Sequence, residues 1–141
     1  MSDKVFVDSN VLIYAHDLDT GDKHRRAVEV IRALWDDRTG ILSTQVLQEF
    51  YVNVTRKIPA PLPRPKAREI ARNYSLWQTE TIHPTDVFRA SEIEEANQIS
   101  FWDALIIATA AKGGASTLLS EDLGSGQIIA GVAVENPFAG S

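Results

Sequence analysis

Four acidic residues carry the chemistry open to this sequence: Asp8 in Val7-Asp8-Ser9-Asn10, Glu49 in Gln48-Glu49-Phe50, Asp103 in Trp102-Asp103-Ala104, and Asp122 in Ser120-Glu121-Asp122-Leu123. Carboxylates gathered from distant parts of a chain repel one another, and no arginine or lysine is an obvious interior partner for these four. A hard divalent cation would resolve that repulsion. Magnesium takes oxygen ligands and keeps several of its waters, so a few carboxylates plus a substrate phosphate suit it. The chemistry would be activation of a water and stabilisation of the charge developing on a phosphodiester. Ser9 and Asn10 could orient carboxylate or phosphate oxygens by hydrogen bonding. Ser120 and Glu121 flank Asp122 as further supporting residues, with either Glu121 or Asp122 free to face the metal.

Each acid also has an ordinary structural reading. Asp8 can be the N-cap of the helix after it. Asp103 can be the third residue of a capping box begun by Ser100, favoured by the helix dipole. Glu49 can be a surface helix residue and Asp122 a turn residue. Asp103 gives the strongest local signal, because Phe101-Trp102-Asp103-Ala104-Leu105-Ile106-Ile107-Ala108-Thr109-Ala110-Ala111 is apolar almost all round. Such a helix is expected to be buried, and an unpaired buried carboxylate costs several kcal/mol or is neutralised.

Positioning these residues is the work of alternating strands and helices. Lys4–Val7 reads as a first strand, Val11–Ala15 starts a helix, and Asp22–Asp37 repeats Ala27, Ile31, Leu34 and Trp35 at helical spacing. Ile41-Leu42 can form a second strand. The third helix then places Val46, Leu47, Phe50, Tyr51 and Val54 on one face, with Glu49 beside them near its start. After the loop Pro59–Pro65, the pattern predicts helix over Lys66–Leu76, strand over Thr79–Ile82, and helices over Thr85–Gln98 and Phe101–Lys112, the last closed by Gly113-Gly114. Strands at Thr117–Leu119 and Val132–Val134 complete the pattern. This alternation predicts a parallel sheet covered on both faces. Ligands of such sheets sit outside the C-terminal strand ends, where Asp8 and Asp122 fall.

The 141 residues suit one domain, 1–141. With 44% hydrophobic and 23% charged residues, the composition is that of a folded soluble chain. Cysteine is absent, which excludes disulfides and thiolate zinc sites and fits a cytoplasmic location. The N-terminal ten residues show no signal-peptide pattern, and no run reaches the roughly 18 to 20 apolar residues of a membrane span. A net charge of −5 sits awkwardly with a phosphate-backbone partner, so the distribution of charge matters more than its total.

Arg56, Lys57, Arg64, Lys66, Arg68 and Arg72 gather around the proline-rich loop. They read either as a solvated face or, given a nuclease site, as a grip on RNA. His16, His24 and His83 lack metal-ligand spacing: His16 reads as a surface or capping residue or part of the site's mouth, His24 as solvated and His83 as loop. Lys112–Thr117 superficially resembles a phosphate loop but lacks its pattern, and Gly124-Ser125-Gly126 is too short for a dinucleotide fingerprint. Trp35, Trp77, Trp102, Phe50, Tyr51 and Phe101 read as core or interface anchors, not base-stacking platforms.

Taken together and in order, the VDSNVLIYA start, the QEF of the third helix, the SFWDALIIATA helix and the LLSEDLGSGQ turn resemble the PIN domain, most of all the toxin nucleases of VapBC toxin–antitoxin pairs. The resemblance implies a three-layer, Rossmann-like α/β/α fold with a mostly parallel sheet of about five strands. It implies an endoribonuclease that holds one or two magnesium or manganese ions on Asp8, Glu49, Asp103 and Asp122, with Asn10 as the supporting polar residue. Products with 5′-phosphate and 3′-hydroxyl ends, a homodimer, and an antitoxin lying in hydrophobic grooves between helices are also implied. A housekeeping PIN nuclease and a non-catalytic PIN-like binding module remain as alternatives. A phosphotransferase with Asp8 as nucleophile is a further one, although such enzymes want an aspartate where Asn10 stands.

Overall fold

The fold is built on a six-stranded sheet of order β3-β2-β1-β4-β6-β5 in the computed structural model, which describes residues 3–139. The strands are β1 (Lys4–Val7), β2 (Gly40–Ser43), β3 (Gln78–Glu80), β4 (Ala115–Leu119), β5 (Ile128–Ile129) and β6 (Val132–Glu135). All neighbours pair in parallel except β5 and β6. The helices that flank the sheet are α1 (Ser9–Tyr14), α2 (Asp22–Asp37), α3 (Thr44–Arg56), α4 (Arg64–Tyr74), α5 (Pro84–Asn97) and α6 (Phe101–Lys112). Because helices cover it, the sheet's central strands are apolar runs: Phe6, Val7, Leu42 and Leu118 are fully buried.

Local chemistry sets the helix ends. Ser43 caps α3, its Oγ accepting from the Val46 N–H at 3.3 Å, and Ser100 caps α6, accepting from the Asp103 N–H at 3.1 Å. At α5 the Asp86 carboxylate accepts from the His83 N–H at 2.8 Å and from Lys112 Nζ at 2.6 Å, which ties the start of α5 to the end of α6. His83 is therefore the residue before a capped helix, not a free loop residue. The body of α6, Ala104–Ala110, is buried throughout, as its sequence requires. Its first turn is not: Trp102 is 64% exposed and Asp103 half-buried. The expectation of a wholly buried helix fails at that turn.

The sixth strand, β5, is absent from the sequence reading, as is the short 3-10 turn Leu18–Thr20. β5 has two residues, too few to show alternation. It turns into β6 through Ala130-Gly131, both at positive φ (52° and 80°), as a two-residue hairpin of this hand requires. Alanine in that place, where asparagine or glycine is usual, hides the turn.

His16 also departs from expectation. It is enclosed by Phe50 and Tyr74, its Nε2 is 2.8 Å from the Tyr74 hydroxyl, and burial pulls its pKa down to about 4. It is a neutral member of an aromatic cluster that continues through Trp35 and Trp77, with no capping duty. His24 is half-buried, its Nδ1 2.9 Å from the Tyr14 carbonyl oxygen, so it is not freely solvated either.

The aromatic cluster explains a glycine. A Cβ on Gly40 would lie 2.5 Å from Trp77 Cε3 and 2.6 Å from Cζ3, so the Trp77 ring would have to give up its edge-on packing against Trp35 and Tyr74. Gly40→Ala is predicted to destabilise the fold by about 1–3 kcal/mol through overpacking. Urea denaturation measures this, and an unchanged midpoint would contradict the packing described.

Candidate active site

The strand order reverses at β1. The chain lays down β1, β2 and β3 outward in one direction, then returns to place β4 on the other side of β1. Open α/β sheets form a crevice at the C-terminal strand ends of such a switch point. The ladder runs up to this edge, with the Asp8 N–H donating to the Leu119 carbonyl oxygen at 3.0 Å. Asp8 leaves β1, Ser120 to Asp122 leave β4, and α3 leaves β2 carrying Glu49 in its second turn. α6 must return to the opposite edge to start β4, so its first turn brings Asp103 to the same place.

Asp8 is 5% exposed. One oxygen accepts from the Ser9 N–H at 2.7 Å, which makes it the N-cap of α1, and the other accepts from Ser120 Oγ at 2.7 Å. Desolvation nevertheless dominates, and the neighbouring Glu49 and Asp122 charges add to it, lifting its pKa to about 6. Burial also raises Glu49, against hydrogen bonds from Ser9 and Gln45 and with the charges of Asp103 and Asp122 adding. Asp103 is raised by burial and by Asp122, opposed by its bond to Ser100. Asp122 is thus the carboxylate whose charge reaches the other three.

Polar side chains tie these acids together. Ser9 Oγ donates to Glu49 Oε1 at 3.2 Å. Asn10 grips the β4 turn from both ends of its amide: Nδ2 donates to Asp122 Oδ2 at 3.2 Å and to Ser120 Oγ at 3.4 Å, while Oδ1 accepts from the Glu121 N–H at 3.3 Å. Ser120 Oγ accepts in turn from the Asp122 N–H at 3.2 Å. Glu121 points elsewhere, accepting from the Tyr14 hydroxyl at 2.6 Å and pairing with Lys23 Nζ at 2.5 Å. Asp122 joins the cluster, and Glu121 anchors its turn to α1 and α2.

Among the described residues, none of the four acids is within 4.0 Å of a lysine, arginine or histidine nitrogen, since every ion pair found involves other carboxylates. The basic residues singled out in the sequence lie elsewhere. Arg56 and Lys57 end α3 exposed, and Arg64, Lys66, Arg68 and Arg72 are exposed along α4, with Lys66 3.9 Å from Glu69. Nor, among the described residues, do three acidic or histidine side chains stand close enough to cage an ion directly. The donor set is nonetheless all oxygen and without a counter-charge, with Asp8 buried, Glu49 and Asp103 half-buried and Asp122 exposed, and the buried Gln45 Oε1 at the start of α3 has no hydrogen-bond partner. Those features fit a hydrated hard divalent ion held partly through its waters.

Gln45 is the residue the sequence reading missed. Its signal was present as a glutamine four positions before Glu49, the spacing at which helix side chains meet.

Fold and site define an open, mostly parallel α/β domain with a carboxylate cluster at its switch point. Residues 5–125 match the PIN domain family, and the chain belongs to it. Several solved structures share the fold. A toxin–antitoxin complex from Klebsiella pneumoniae matches at 20% identity over 96% of this chain and 98% of that one, with a TM-score of 0.70. VapBC2 from Rickettsia felis, bound to a DNA fragment of its promoter, matches at 17% identity over 94% and 97% (TM-score 0.64). VapC20 of Mycobacterium tuberculosis, a toxin that cleaves the sarcin–ricin loop, matches at 20% over 82% and 87% (TM-score 0.59). A search of curated proteins found no match.

The elevated Asp8 pKa has a consequence for stability. Its folded value of about 6 lies above the unfolded value near 3.8, so the native state holds the proton longer. Stability therefore falls as pH rises from about 4 to about 6, and the loss is complete above that window, about 3 kcal/mol in all. In metal-free protein, Asp8→Asn is predicted to raise the melting temperature at pH 7.5 and flatten this dependence. A variant that melts lower and keeps the full pH slope would show that the Asp8 charge is compensated.

Proposed function

We propose that this protein is a metal-dependent endoribonuclease and the toxin partner of a toxin–antitoxin pair. The observation that carries the reading is four carboxylates, none with a cationic partner, at the switch point of a PIN domain. Similar folds support the pairing: one similar protein is an RNA-cleaving toxin, and others are complexes of toxin with antitoxin.

Asp8, Asp103 and Asp122 would hold one or two magnesium or manganese ions, with Glu49 as a direct or water-mediated ligand. When bound, the ion supplies an activated water and neutralises charge building on the phosphodiester, leaving 5′-phosphate and 3′-hydroxyl ends. The chain's own contribution is positional. Ser120 and the Ser9 N–H fix both oxygens of Asp8, so this carboxylate cannot rotate away. Asn10 fixes Asp122 relative to Ser120, and Ser9 restrains Glu49. Glu121, locked by Tyr14 and Lys23, keeps the turn in place while staying out of the cluster. The exposed basic stretch of α4 would hold the RNA backbone, its charge offsetting a site that is otherwise acidic.

An antitoxin has a surface to use. Cavities of about 360 and 330 Å³ meet beside Trp35 and Tyr74, between α2 and α4, with Trp35 37% and Leu76 78% exposed. A homodimer would bury further apolar surface, for which exposed Phe88 and Trp102 are the leading positions.

Asp8→Asn and Asp103→Asn are each predicted to abolish magnesium-dependent cleavage of single-stranded RNA, by at least about a hundredfold, with circular dichroism unchanged. Full activity in a preparation free of contaminating nuclease would reject the assignment. Replacing Arg64, Lys66 and Arg68 together by alanine is predicted to weaken RNA binding and to reduce the slope of log K against log salt by about 2, at roughly 0.7 per lost phosphate contact. Manganese affinity should be unaffected, and an unchanged salt slope would remove α4 from the interface.

A further inference from the structure

Among the described residues three aromatic rings are exposed: Trp35, Phe88 and Trp102. Trp35 lines the cavities beside Tyr74, and Phe88 lies on α5. Only Trp102 adjoins one of the four acids. It precedes Asp103 in the first turn of α6, and neighbouring Cα atoms are about 3.8 Å apart. The indole is held in place. Ser100 caps α6 by accepting from the Asp103 N–H at 3.1 Å, which fixes the backbone that carries both side chains. Phe101, itself packed against the core, meets the indole edge-on with ring centres 5.3 Å apart. An edge-on contact covers at most one face of the indole. Among the described residues no other ring or cation pairs with it, so with Trp102 64% exposed the other face is open.

A single exposed tryptophan needs no explanation, but this one stands beside a site with a particular deficit. The four acids have no cationic side chain within 4.0 Å, and no basic residue of α4 pairs with them. A bound divalent ion engages the phosphate that is cut, while the chain itself offers the flanking nucleotides no positive charge there. Attraction at that point falls to uncharged groups. An open indole face is one, because any nucleobase stacks on it, with about five- to a hundredfold in binding at stake per base. Single-stranded RNA supplies such bases free of a pairing partner.

We propose that Trp102 is a substrate-binding residue of this site, its open indole face stacking on the base of a nucleotide beside the cut. This rests on the nuclease reading, since it takes the four acids to be the place of cleavage. The competing use of the side chain is an apolar contact between two copies of this chain, which needs hydrophobicity but no flat ring.

The test is steady-state cleavage of a labelled single-stranded RNA in magnesium by the parent protein, Trp102→Phe and Trp102→Leu. Leucine keeps an apolar contact and removes the ring. Trp102→Leu is expected to raise KM about five- to a hundredfold with kcat changed less than about threefold, and Trp102→Phe to stay nearer the parent. Manganese affinity, measured by calorimetry, is expected to stay within about twofold of the parent in both. RNA carrying an abasic site on one side of the cut or the other completes a cycle. At one of these positions the parent is expected to lose what Trp102→Leu loses on intact RNA, and Trp102→Leu to lose nothing more. Parent-like KM in Trp102→Leu overturns the proposal and leaves the nuclease reading standing. Equal losses by parent and variant at both abasic positions overturn it as well, because the ring then meets no base. So does a fall in manganese affinity that matches the rise in KM, which would make Trp102 a support for Asp103. A parent that cuts no RNA in magnesium overturns both readings.

Discussion

The structure depends on negative charge held out of water with nothing positive beside it. Asp8 lies under the edge of a parallel sheet, both oxygens used by short hydrogen bonds, and is still costly to ionise. Glu49 and Asp103 are disfavoured in the same direction, and Asp122 adds its charge to each. Folded proteins seldom keep such an arrangement without a reason, since apolar or paired replacements would be more stable. Elsewhere this chain compensates its carboxylates readily: Asp86 has Lys112 and the His83 N–H, and Glu121 has Lys23 and Tyr14. Among the described residues, the four acids at the switch point have no such cation.

Topology explains how four distant acids meet. Asp8 and Asp122 follow adjacent strands, so their separation of more than a hundred residues in sequence becomes a neighbouring position in space. Glu49 and Asp103 arrive on helices, each near the end that faces the same edge. The structural and functional readings of these residues do not compete. Asp8 is an N-cap, and Asp103 stands in a Ser100-capped first turn, where the helix dipole eases the cost of its charge. Capping fixes the backbone that aims the carboxylates.

Much of this was legible in the residues. The α2 span followed from periodicity, the α6 span from an apolar run closed by Gly113-Gly114, and the placing of Asp8 and Asp122 from a rule about strand ends. What escaped has physical causes. β5 is too short to show a period, and its turn uses alanine where glycine or asparagine is customary. Trp102 read as a core or interface anchor because its helix is apolar, and its exposure in the first turn excludes only the core. His16 looked like a surface residue because the aromatic groups that enclose it come from helices far along the chain. The basic residues cluster in sequence around the proline-rich loop, yet that loop leads into α4, and none of them reaches the acids. Gln45 gave only a spacing, and an unpaired oxygen is a property of three dimensions.

A crystal grown with manganese and measured at its absorption edge addresses the central claim most directly. An anomalous peak about 2.1 Å from a carboxylate oxygen of Asp8, with Asp103 and Asp122 around the same ion or its waters, is the result this account predicts. No peak at the switch point in crystals saturated with manganese, with the four acids instead satisfied by lysine or arginine, would contradict it.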